Sequence, residues 1–86
     1  MKYLTKAQAK EVEAFKRLVE YFGVTYNSTQ LVQSKRTNRW YVYIHYTNKP
    51  GISLKRYVAD YGTSQGALNC VVKIDGAIRN ILQSTN

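Results

Sequence analysis

Ile52-Ser53-Leu54-Lys55-Arg56-Tyr57-Val58-Ala59-Asp60-Tyr61 decides the fold, because it reads in two ways. As a helix capped by Ser53, it aligns Leu54, Tyr57, Val58 and Tyr61 on one side and stops at Gly62. As a third strand it offers the weaker alternation of Ile52, Leu54 and Val58. The helical period is the better fit, and it makes Tyr57 and Tyr61 core residues. Just upstream, Asn48-Lys49-Pro50-Gly51 is a turn, and Pro50 disfavours helix at Lys49.

Before that turn, Trp40 to Tyr46 is an unbroken β-branched and aromatic run, the clearest strand in the chain. From Val24 the composition is already Thr, Tyr, Val, Asn and Ser, so Ser34 to Arg39 reads as the basic tip of a hairpin. With Thr37 and Asn38 as the turn, and Asn38 left-handed, Leu31 pairs with Ile44 on the face of Trp40 and Val42. That face is the expected core. The other carries Gln30, Tyr41, Tyr43 and His45.

At the ends of the chain the period is helical. Thr5 and Gln8 fit a capping box, Val12, Phe15, Val19 and Phe22 recur at three and four residue spacing, and Gly23 is the stop. Thr63 or Ser64 caps a last helix built on Ala67, Val71, Ile74, Ile78 and Ile81, with Leu68, Val72 and Leu82 alongside them and Gln83 to Asn86 frayed. The expectation is one compact α+β domain over residues 1–86. Its order is N-terminal helix, β-hairpin, short helix (or third strand), long C-terminal helix.

Thirteen Lys and Arg against five Asp and Glu leave a net charge of +8. No acid lies between Glu20 and Asp60, where Lys35, Arg36, Arg39, Lys49, Lys55 and Arg56 fall. A basic excess gathered in one half of the chain points to a polyanion or an acidic protein surface as partner. The single cysteine, Cys70, forms no internal disulfide, which fits a reducing cytoplasm. Met1 to Lys16 is too charged for a signal peptide or anchor, and no membrane partner is expected.

Catalysis needs converging titratable groups, and one His, one Cys, two Asp and three Glu do not supply them. No phosphate-cradling glycine loop and no metal-ligand spacing is present, so the chain reads as a non-enzyme without cofactor or metal. Tyr41, Tyr43 and His45, beside Arg36 and Arg39, are what a single-strand platform requires, because any base stacks on an aromatic face. The alternative is that the last helix or a partner subunit covers these rings.

Residues 54–73, from Leu54-Lys55-Arg56-Tyr57 through Gly62-Thr63-Ser64-Gln65 to Asn69-Cys70-Val71-Val72-Lys73, resemble the helix-turn-helix of phage repressor and Cro-type proteins. The pattern departs from that family at Val58, where a small residue is usual, and at Thr63, where an apolar one is. The resemblance implies a second helix in the DNA major groove, with Ser64, Gln65 and Asn69 at base edges and Thr63, Lys55, Arg56 and Lys73 near phosphates. With residues 52–61 as a strand, the whole chain is instead similar to the double-stranded RNA-binding domain, α-β-β-β-α. It then lacks that family's basic cluster at the start of the last helix, where Thr63-Ser64-Gln65-Gly66 stands.

The expected function is therefore a small basic cytoplasmic protein of phage or mobile-element type that binds nucleic acid, duplex DNA in preference to RNA. Lys35, Arg36, Arg39, Lys55 and Arg56 would neutralise phosphate, and a homodimer would suit operators with two-fold symmetry. The rival reading is a phage-type inhibitor or adaptor that occupies an acidic or nucleic-acid-binding site of a host protein, since Tyr and Arg dominate interface hot spots.

Overall fold

A computed structural model describes residues 4–84. Helix α1 (Lys6–Phe22) leads into strands β1 (Thr25–Gln33), β2 (Trp40–Thr47) and β3 (Ser53–Tyr61), and helix α2 (Ser64–Ser84) closes the chain. The strands form one antiparallel sheet in the order β1-β2-β3, so the architecture is α+β. Residues 53–61 are strand and not helix, and Ser53 opens β3 where a helix cap was expected.

The helix ends follow their capping chemistry. The Thr5 side chain accepts from the Gln8 amide at 3.1 Å, and the Gln8 side-chain oxygen accepts from the Thr5 amide at 2.9 Å, which closes the capping box. Gly23 ends α1 in the left-handed region at φ 63°, and its N–H donates to the Val19 carbonyl. At α2, the Thr63 hydroxyl accepts from the Gly66 amide. The helix continues through Ser84; of the expected frayed end, residues 85–86 lie outside the described residues.

Both helices pack on one face of the sheet. Val12 and Phe15 of α1 and Ala67, Cys70, Ile74 and Ile78 of α2 close over Val42, Ile44 and Val58. Phe15 stands edge-on to the rings of Tyr26 and Tyr46 at 5.9 and 5.6 Å. Phe22, expected on the apolar stripe, is 65% exposed at the end of α1.

Polar ties fix the same layer. The Gln8 side chain is buried and donates to the Tyr61 hydroxyl at 2.9 Å, joining the start of α1 to the end of β3. Tyr26 donates to Asp75 of α2 at 2.5 Å and shares a 2.7 Å contact with Thr29. Burial first, then the hydrogen bond to the Asp75 carboxylate, pushes the Tyr26 phenol up to about 12.

The hairpin tip differs from the expected turn by one residue. Gln33 pairs with Trp40, and Leu31 pairs with Val42 in place of Ile44. The pairing is displaced by two positions, an even number, so every side chain keeps its expected face. Asn38 is left-handed at φ 60°, as its side chain tolerates. Two bulges modify the ladder: one near Asn27 puts Tyr26 and Thr29 on the helix side, and one inserts Val58 into β3 opposite Val42.

Candidate nucleic-acid interface

With both helices on one face, the other face of the sheet has no element of this chain packed against it among the described residues. Alternation places Tyr41, Tyr43 and His45 of β2 there, next to Gln30 and Val32 of β1 and Lys55, Tyr57 and Asp60 of β3. Tyr57 is thus a surface residue, 47% exposed, which corrects its expected place in the core. Tyr61 does pack against the core.

Three phenol rings form the centre of this face. Tyr57 lies 6.2 Å from Tyr41 and 6.1 Å from Tyr43, measured between centroids, the second pair edge-on. The Lys55 ammonium sits 4.6 Å from the centroid of the Tyr43 ring. Past Tyr41 comes the hairpin tip, with Lys35, Arg36 and Arg39 all exposed.

One acid enters this basic, aromatic surface. Asp60 accepts from the Arg39 Nε at 2.6 Å and from the Tyr57 hydroxyl. These two donors, Tyr57 ahead of Arg39, hold its carboxyl below the usual carboxylate range. In return the carboxylate, ahead of burial, raises the Tyr57 phenol to about 12. Arg39 is therefore engaged within the chain.

The Asp60→Asn substitution should release Arg39 and remove the negative charge from the face. Affinity for a polyanion is expected to rise a few-fold at low salt, about one phosphate contact's worth. The Tyr57 ionisation should also fall back toward about 10, seen by ultraviolet titration of the phenols. Unchanged affinity and titration would mean that the contact among Tyr57, Asp60 and Arg39 is not maintained in solution.

Other expected site residues lie elsewhere. Arg56 is on the helix side of β3, where its Nε donates to Glu11 of α1 at 2.8 Å; it braces the fold and does not join the tyrosine face. Ser64, Gln65 and Asn69 are exposed at the start of α2, with the Gln65 amide donating to Asn69 at 3.0 Å. Lys73 is half-buried on α2, across the sheet from the tyrosines. A helix-turn-helix needs two helices meeting at Gly62, and β3 occupies the place of the first. Lys55, expected near phosphate on that helix, reaches the tyrosine face from β3 instead.

Of the residues on the open face, sequence reasoning missed Tyr57 and Asp60 as members, because both were placed on a helix. Among the described residues no group of three His, Cys, Asp or Glu side chains gathers in a metal-binding arrangement. No described helix is long and apolar enough to cross a membrane. Compared with known proteins, the chain matches no family model, no curated protein and no solved structure.

Proposed function

We propose that the protein binds single-stranded nucleic acid on the open face of its sheet. The observation that carries this reading is the cluster of Tyr41, Tyr43 and Tyr57, uncovered by either helix and bordered by Lys55, Lys35 and Arg36, with Arg39 beside them held by Asp60. Unstacked bases offer two aromatic faces and a charged backbone, and this surface presents rings in the middle and cations at the edge. Each base stacked on a ring contributes about 1–3 kcal/mol without regard to sequence, while the cations set a salt-dependent affinity.

The duplex DNA reading depended on a recognition helix projecting from a two-helix unit, which residues 53–61 do not form. The α-β-β-β-α order favours an RNA-binding resemblance in topology, yet Ser64, Gln65 and Asn69 leave the exposed start of α2 uncharged. A single strand of either sugar is the ligand that the tyrosines suit.

Fluorescence anisotropy with labelled oligo-dT, oligo-U and a duplex of equal length tests the proposal. Both single strands are expected to bind more tightly than the duplex, and binding should weaken as salt rises. Tighter binding to the duplex, or no binding of any nucleic acid at low salt, overturns it; the second outcome would move the face to an acidic protein partner.

A further inference from the structure

β1 is an edge strand: β2 covers one side, and no strand among the described residues pairs with the other. Its nine residues, Thr25–Gln33, include no charge. The opposite edge differs. β3 carries Lys55, Arg56 and Asp60, has a bulge at Val58, and is braced to α1 through Arg56 and Glu11. Charges, bulges and cover are the means by which monomeric proteins discourage strand addition at an edge. β1 has a bulge near Asn27 and neither charge nor brace along Ser28–Gln33.

The flank of α2 above β1 shares this character. Asp75 accepts from Tyr26 of β1, so the side of the helix that carries Leu68, Val72, Asp75 and Arg79, at spacings of four, three and four, lies toward this edge. Leu68 and Val72 are 46% and 45% exposed there. Leu31, Trp40 and Leu68, with Ser64 and Gln65, line an apolar depression of about 260 Å³ beneath the start of the helix. The charges on this flank, Asp75 and Arg79, pair with each other at 3.0 Å.

We propose that a second copy of this chain docks here, β1 against β1 and antiparallel, about a two-fold axis near Thr29 and Gln30. A chain of net charge +8 repels its own copies wherever cations face cations. Along β1 and the Leu68–Val72 flank the net charge is zero, so self-association there carries no such penalty. A two-fold contact sets each strand against itself and each apolar stripe against itself, satisfying the free backbone groups and the exposed side chains together. An acidic or basic partner would find no complementary charge on this edge.

The axis runs perpendicular to the sheet, so the product is six strands with all four helices on one side. Both tyrosine clusters then share the other side, their β2 strands about 14 Å apart across three strand spacings.

Sedimentation equilibrium and light scattering on the full chain, without nucleic acid, test the proposal independently of the binding reading. A monomer–dimer equilibrium is expected, with β1 amide exchange slowing as concentration rises. The doubly substituted Leu68→Lys, Val72→Lys protein should dissociate at least about tenfold more readily. Its circular dichroism should match that of the unsubstituted protein, and Lys55→Glu on the far edge should leave association unchanged. A protein that stays monomeric at high concentration, or a dimer indifferent to Leu68→Lys and Val72→Lys but lost in Lys55→Glu, overturns the proposal.

Discussion

Tyr43→Ala is expected to weaken binding of a single strand by about tenfold to a hundredfold, the loss of one base stack. Tyr43 lies on the open face, edge-on to Tyr57 and beneath Lys55. Tyr57→Ala should cost a similar amount. The double variant should cost less than the sum, because the two rings touch and each helps to hold the other. Both residues stand on the face opposite the buried core, so the thermal transition should shift little. Tyr43→Phe retains the stacking surface and should bind nearly as the unsubstituted protein does. The slope of affinity against salt should be unchanged in all four variants, since no charge is removed. If Tyr43→Ala and Tyr57→Ala both bind oligo-dT and oligo-U at unaltered affinity, the rings are not where the bases sit.

Phe15→Ala should cost about 3–5 kcal/mol of folding stability. Phe15 is 1% exposed and is wedged between Tyr26 and Tyr46, so its removal leaves a cavity between α1 and the sheet. A domain of this size has about 4–13 kcal/mol in total, and each kcal/mol moves its midpoint by about 4–8 °C. A fall of more than about 12 °C in the thermal midpoint is therefore expected. Tyr21→Ala, on the exposed side of the same helix, provides the contrast, with a change within about 0.5 kcal/mol. A small effect at Phe15 would show that α1 is not seated on the core as described.

The helices were legible because each announces itself locally. Thr5, Gln8 and Gly23 bracket α1 as capping chemistry requires, and Ala67, Ile74 and Ile78 bury as their spacing indicates. The face assignment of β2 was legible too, since strict alternation separates Val42 and Ile44 from Tyr41 and Tyr43. β3 misled for a structural reason. Leu54, Val58 and Tyr61 all point to the helix side, at spacings of four and three, because the extra residue at Val58 offsets the strand by one. A bulged strand thus reproduces the stripe of a helix, and no local signal separates the two. What decides is the open edge of β2, which β3 satisfies through its backbone, and that partner is distant in sequence. The same offset explains why Tyr57 and Asp60, three residues apart, share the tyrosine face. Arg56 was misjudged because a positive charge in sequence does not reveal that Glu11, 45 residues away, already neutralises it.

Among the described strands β2 is the one paired on both sides, and it carries the most deeply buried side chains of the sheet, Val42 and Ile44. Its amides should be among the last to exchange with solvent, because local opening that frees β1 or β3 leaves β2 with a remaining neighbour. Two of the three phenol rings on the open face, those of Tyr41 and Tyr43, are attached to this backbone. A ligand arriving there meets a surface that is already ordered, and little of the stacking energy is spent on restricting the protein's own motion. On the binding reading proposed above, rigidity at the centre of a three-stranded sheet is in this way converted into affinity at its face.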